Sequence, residues 1–394
     1  MPSLPFGRHA RLLIALSAAG VATFGQLYAL QGLLPQISTD LDVSHSTVAL
    51  TISAATFGLA LSLLPWAVVA TRFGITRAMS IALLAASILG LLVALSPTFP
   101  LLLVLRGLEG VALGGVPALA VALVGRDVAE TRRAEVVGVY IAGTTIGGLA
   151  GRILAGAVAS IGNWRLAEAV VCALALVCSI VFVVLVPRKP ATTSIRVFTP
   201  SAITRVLPVV LRPQLLARYG QAFLLLGSSV TVFSFLAFRL QVPPFAIPAA
   251  IANLVFLAYL AGTVSSSFAG VLTRRLGSRV VFLLATGIMV AAVIASLSDS
   301  LVVIVVALVL FTGGFFLAHT IASTAVVQAT GLDAPAASSL YNVAYYLGSA
   351  VVGGIGGIAF GAGGWPLIVV TVAVTAGIAF LLGLVPERQP RPGA

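Results

Sequence analysis

The sequence predicts an all-α polytopic membrane protein with twelve transmembrane helices in two pseudo-twofold-related six-helix bundles. Three observations carry this: a composition with no water-compatible surface, twelve apolar runs of spanning length, and markers that recur at a nearly constant offset. Of 394 residues, 60% are hydrophobic and 8% charged, and the mean hydropathy is +1.16. A soluble domain keeps about 25% of its residues charged, so lipid must be the surrounding solvent.

A bilayer core takes about 20 apolar residues per helix. Runs of that kind fall at 12–35, 46–70, 77–96, 99–125, 134–160 and 165–187, and again at 216–241, 248–272, 279–297, 300–329, 335–360 and 365–386. Backbone groups in hydrocarbon must satisfy one another, and runs this continuous are helices rather than barrel strands. The first run follows Arg8 and Arg11 as a signal peptide would. From Leu12 to about Leu34 it is longer than a signal's apolar core, so it reads as an uncleaved first helix. The basic stretch 188–214, interrupted by Pro190, Pro200, Pro208 and Pro213, reads as a linker between halves 1–187 and 215–394.

The net charge of +12 would suit a nucleic-acid binder, but its distribution argues otherwise. Arg8 and Arg11, Arg72 and Arg77, Arg126, Arg132 and Arg133, the linker's Arg188, Lys189, Arg196, Arg205 and Arg212, then Arg274, Arg275 and Arg279, and finally Arg388 and Arg391 all occupy alternate connections. The remaining connections hold Asp40, Asp42 and Asp299, with Arg165 as their one basic residue. By the positive-inside rule this places every basic loop and both termini in the cytoplasm. The two cysteines, Cys172 and Cys178, share one apolar run and read as packing residues, with neither disulfide nor metal-ligand spacing.

The two halves repeat. Thr71-Arg72-Phe73-Gly74 aligns with Arg274-Arg275-Leu276-Gly277 at an offset of 203, Gly162-Asn163-Trp164 with Gly363-Gly364-Trp365 at 201, and Val186-Pro187 with Val385-Pro386 at 199. An even number of spans per half makes the repeats parallel, related by an axis along the membrane normal.

These residues resemble the major facilitator superfamily over about residues 20–386. The family's loop signature, Gly-x-x-x-Asp-Arg-x-Gly-Arg-Lys, finds Arg72 and Gly74 in the first half and Gly270, Arg275 and Gly277 in the second, while both Asp positions are replaced. The resemblance implies that this loop latches the cytoplasmic side, with Asp127 as a substitute partner for Arg72 or Arg77. Arg106-Gly107-Leu108-Glu109-Gly110 looks like the fourth-helix signature Arg-x-x-Gln-Gly, with Glu109 at the Gln position. The run Gly143 to Arg152 resembles the glycine-rich fifth-helix motif of the drug:proton antiporter branch, without its usual Pro. Tyr259 to Ser266 and Tyr341 to Gly348 look most like the YnfM, arabinose-efflux-like group within that branch. The resemblance implies a multi-pass protein of a bacterial-type inner membrane, working as a monomer by alternating access.

Ionisable side chains inside spans are rare and expensive. The candidates here are Arg106, Glu109, Arg152, Glu168, Arg239 and His319. Arg106 and Glu109, three apart, share a helix face. Glu109 reads as a proton carrier controlled by the approach of Arg106, against the plainer reading of a permanent ion pair. Arg152 suits an anionic ligand group or a carboxylate such as Glu109. Arg239 reads either as part of the pathway or as a side chain snorkelling to the interface. Glu168 reads as a boundary ion pair with Arg165. His319 suits proton coupling near neutral pH, with a packed histidine as the alternative. The resemblance places the first, fourth, seventh and tenth helices around a cavity, adding Tyr28, Gln31 and, on the eleventh helix, Tyr345 as ligand contacts.

Three in-span arginines against two glutamates favour an anionic, zwitterionic or uncharged amphiphilic substrate over an organic cation. The expected activity is secondary transport, with proton-coupled export first and an uptake symporter or facilitator second. No His-Glu-x-x-His motif or Ser/His/Asp grouping supports an enzyme. With Lys189 the only lysine, there is no phosphate-binding Walker loop. No cofactor or metal is implied; the expected partners are a small molecule, protons and lipid.

Overall fold

The computed structural model describes residues 6–187, 210–330 and 334–385. Most of the linker, with Arg188, Lys189, Arg196 and Arg205, and the tail with Arg388 and Arg391 lie outside the described residues. The described chain is helical throughout: α1 (Gly7–Asp40), α2 (His45–Phe73), α3 (Ile75–Ala94), α4 (Phe99–Asp127), α5 (Glu130–Ile161), α6 (Trp164–Leu185), α7 (Pro213–Leu240), α8 (Ala249–Leu276), α9 (Ser278–Ala295) and α10 (Leu301–Thr330). A last continuous stretch, Ala334–Leu382, is divided by non-helical Gly363 and Gly364 into α11 (334–362) and α12 (365–382). This is the fold class expected, with helix ends displaced by a few residues.

The chain forms two compact units, Met1–Val43 with Ala54–Phe198, and Ser44–Ser53 with Thr199–Ala394. The start of α2 therefore groups with the second unit, which the sequence division at 187 and 215 did not anticipate. Within that unit His45 lies 4.7 Å from Phe238 and 5.9 Å from Phe360, ring centre to ring centre.

Proline explains the breaks in α1 and α4. In α1, helix Phe6–Leu27 gives way to a 3-10 turn, Ala29–Leu33, before helix resumes at Leu34–Asp40. Pro35 has no N–H to continue the ladder onto Gln31. In α4 the ladder breaks at Gly114, between Phe99–Leu113 and Gly115–Asp127, where Pro117 cannot donate to Leu113.

Without a hydrophobic drive between helices in lipid, close backbone approach holds them together. In the first unit α1 meets α5 along a seam of small residues. A Cβ placed on Gly143, Gly147 or Gly151 would sit 2.6, 2.5 and 2.2 Å from the carbonyl oxygens of Ser17, Val21 and Gly25. α2 meets α4 the same way, a Cβ on Gly110 falling 1.9 Å from the Ala55 oxygen. In the second unit α7 and α11 touch at Gly348, where a Cβ would lie 1.8 Å from the Phe223 oxygen.

The repeat read from the sequence has a conformational counterpart. Gly74 (φ 83°, ψ 148°) and Gly277 (φ 83°, ψ 149°) adopt the same backbone geometry at the starts of α3 and α9, a region open in practice only to glycine. The other end of each unit is also closed alike. Trp164 Nε1 donates to Asp40 Oδ2 (2.9 Å), and Trp365 Nε1 to the Ser296 carbonyl (3.1 Å).

Candidate functional site

The break in α1 creates the first unit's polar centre. The Gln31 N–H, which a regular helix would give to Leu27, goes to the Tyr28 carbonyl at 3.0 Å. Arg106 of α4 takes the Leu27 carbonyl instead, donating from Nη2 at 2.6 Å, with Nη1 3.5 Å from the Gln26 carbonyl. The same Nη1 lies 2.7 Å from Glu109 Oε2 and 3.7 Å from Glu168 Oε1, and all three charged side chains are fully buried. The Cys172 thiol points at Glu168 Oε1, 3.6 Å away.

Among the described residues, several polar atoms here have no hydrogen-bond partner: Glu109 Oε1, Glu168 Oε2, and both Nε2 and Oε1 of Gln26. Gln26 faces the cluster across α3. A Cβ on Gly90 would fall 2.4 Å from Cys172 Sγ and 3.3 Å from Gln26 Oε1, so a bare glycine makes room for both. Glu109, Glu168 and Cys172 place ligand atoms within 4.8 Å of one another. A guanidinium already bonded to this carboxylate pair makes it an electrostatically poor metal site.

This corrects two expectations. Glu168 does not form a boundary pair with Arg165, because Arg165 turns outward to Asp40 and to the Ser96 carbonyl. One helical turn makes the difference: Glu168 falls on the bundle-facing side of α6, Arg165 on the end. Cys172 is more than a packing residue, since its thiol addresses a carboxylate.

Arg152 is likewise not the partner of Glu109. It is 3% exposed and donates from Nε to Gln31 Oε1 (2.9 Å) and from Nη1 to the Gly148 carbonyl (2.6 Å). Its guanidinium stands 4.5 Å from the centre of the Tyr28 ring, within cation–π range. Tyr28, Gln31 and Arg152 thus form one group, and the short segment 26–31 has Arg106 on its first carbonyls and Arg152 on its last side chain.

In the second unit His319 of α10 shares a hydrogen bond with Tyr341 Oη at 3.0 Å through Nδ1, and its ring lies 4.5 Å from that of Tyr345. Arg239 of α7 sits at the turn between α9 and α10. It donates to the carbonyls of Leu297 (3.2 Å) and Ser298 (2.9 Å), approaches Asp299 (3.4 Å), and lies 5.6 Å from the Trp365 ring, which makes it a clasp on the α9–α10 turn.

Among the loop residues, Arg72, Arg77, Gly270, Arg275 and Gly277 are exposed, and Gly74 is half-buried. Asp127 accepts two bonds of 2.8 Å from Arg126, and Arg126 reaches on to Thr76 Oγ1 at 3.2 Å. At the opposite end the Asp40–Arg165 pair is exposed (side chains 45% and 31%), so solvent screens it. Asp40→Asn is expected to lower stability by no more than about 1 kcal/mol in thermal unfolding.

An arginine and two carboxyls sealed among helices long and apolar enough to cross a membrane mark a functional centre rather than plain packing. The chain belongs to the Major Facilitator Superfamily, whose profile matches residues 16–334 and 244–394, and it is a multi-pass membrane transporter. It is 34% identical to the inner membrane transport protein YnfM of Escherichia coli (strain K12), over 95% of this chain and 89% of that one. It is 33% identical to the uncharacterized MFS-type transporter YybF of Bacillus subtilis (strain 168), over 88% of this chain and 86% of that one. Among solved structures it is similar in fold to a bacterial homologue of the lysosomal transporter Spinster in its inward-facing, occupied conformation (TM-score 0.77, 17% identity, 97% of each chain). A D-xylose–proton symporter is similar too (TM-score 0.79, 13% identity, 96% of this chain and 97% of that one).

Proposed function

We propose that this transporter is a proton-coupled exporter of the drug:proton antiporter branch, moving small anionic, zwitterionic or neutral amphiphiles by alternating access across a bacterial inner membrane. In this reading both termini and the basic loops lie in the cytoplasm, as the arginine distribution argues. The observation that carries the coupling is the Arg106–Glu109 pair, 2.7 Å apart and fully buried. A carboxyl in so dry a place exchanges its proton only when the bundle admits water, which ties protonation to conformation. Arg152 is the anion-recognising group: its partners include the neutral oxygens of Gln31 and Gly148, which a carboxylate or phosphate would outcompete.

Purified protein in proteoliposomes under a pH gradient tests the proposal. Adding an anionic amphiphile is expected to release protons with the native chain and none with Glu109→Gln; ligand movement without proton movement in either would make the protein a facilitator. Arg152→Ala is expected to weaken binding of an anionic ligand at least tenfold in equilibrium binding, while the melting temperature stays within a few degrees. Unchanged affinity would remove Arg152 from the substrate site.

A further inference from the structure

We propose that Glu109 and Glu168 form a single proton-binding site and hold one proton between them. This rests on the proton-coupled reading above and extends it to a residue the fourth-helix signature does not contain.

The argument is a charge count in a closed space. Arg106 brings one positive charge to two carboxyls, and all three side chains are fully buried. Among the described residues, the ionisable groups in contact with the two carboxyls, beyond each other, are Arg106 and the thiol of Cys172. With both carboxyls ionised the core would carry one unbalanced negative charge, which a closed apolar space strongly disfavours. One proton brings the cluster to neutrality: a guanidinium, a carboxylate and a carboxylic acid. Carboxyl groups this close titrate as a pair rather than as two independent groups.

The geometry says where the proton rests. Arg106 Nη1 is 2.7 Å from Glu109 and 3.7 Å from Glu168, so Glu109 is the carboxylate and Glu168 the acid. Glu168 Oε1 receives the Cys172 thiol, which leaves the unpartnered Oε2 to carry the hydrogen. Glu109 Oε1, also unpartnered, is free to accept a proton when Arg106 moves towards Glu168. Gln26, fully buried beside the cluster with neither end of its amide hydrogen-bonded among the described residues, keeps an uncommitted donor next to the pair. The exchange moves one proton from one carboxyl oxygen to the other, and no charge leaves the cluster until water reaches it.

The test compares Glu109→Gln, Glu168→Gln and Glu168→Asp in proteoliposomes and in infrared difference spectra. With either Gln variant the count closes without a proton, one guanidinium facing one carboxylate. Both are therefore expected to lose substrate-driven proton release and the protonated-carboxyl band, while thermal unfolding shows them folded. Glu168→Asp keeps the count and is expected to keep both signals. If Glu168→Gln still releases protons and only Glu109→Gln is silent, the shared site is overturned and the antiport reading survives. If the native protein moves substrate without protons, the antiport reading falls; the infrared band then still decides whether the pair holds a proton, and its absence from the native protein overturns the shared site. Loss of proton release in folded Glu168→Asp also overturns it.

Discussion

Replacing Arg106 with leucine is expected to remove about 3–5 kcal/mol of stability, the usual consequence of deleting one member of a buried ion pair. Two effects add. Glu109 and Glu168 lose the cation they share, and the Leu27 carbonyl, freed by the turn in α1, loses its donor at 2.6 Å. An unsatisfied buried carbonyl alone costs about 1–3 kcal/mol. The triple variant Arg106→Leu, Glu109→Gln, Glu168→Gln separates them. With no charge left to bury, it is expected to regain most of the stability, except for the share that belongs to the Leu27 carbonyl, and to remain inactive in transport. Thermal unfolding in detergent reads the stability, and proteoliposome flux reads the activity. A triple variant no more stable than Arg106→Leu alone would show that the arginine acts through the α1 backbone and hardly through the carboxyls.

How far this arrangement was legible in the sequence depends on the kind of signal. The spans were, because twenty apolar residues in a row admit few other readings. The duplication was too, because Gly74 and Gly277 serve a backbone geometry that no other residue tolerates. The Arg106–Glu109 pair followed from helical spacing. Glu168 was misread because Arg165, three residues earlier, offered an obvious partner, and sequence gives no direct measure of how α6 is rotated. Gln26 left no trace, since an uncharged amide in an apolar run looks unremarkable until its neighbours are known. The break in α1 did leave a signal: Pro35 cannot donate to Gln31, so the ladder had to fail just before it.

That break links the two halves of the proposed mechanism. Arg106 holds the carbonyls of Gln26 and Leu27, while Tyr28 and Gln31, within the next turn, hold Arg152. A ligand that displaces Gln31 from Arg152 pulls on the segment whose other end Arg106 pins, and Arg106 sits between the carboxyls. In the proposed function, proton and substrate would not have to meet to be coupled; they would share a short stretch of non-ideal helix.

Gly151→Ala is therefore expected to damage both stability and transport, although it adds one methyl group. A Cβ there would sit 2.2 Å from the Gly25 carbonyl oxygen and 2.8 Å from its Cα, and backbone cannot rotate aside as a side chain can. Either α1 moves off α5 or the helices unpack locally, at about 1–3 kcal/mol for overpacking of this kind. The displacement would fall between Gly25 and the break, next to Arg152 itself, so the Arg152–Gln31 contact should loosen with it. Gly138→Ala on the same helix is the control. Its Cβ would meet nothing within 4 Å, and alanine's helix preference is expected to raise stability by about 0.5–1 kcal/mol. Opposite signs for the two changes in parallel unfolding experiments would establish the α1–α5 seam as a contact of backbone on backbone. A harmless Gly151→Ala would mean that α1 is free to yield there, and a segment that yields cannot carry the coupling between Arg106 and Arg152.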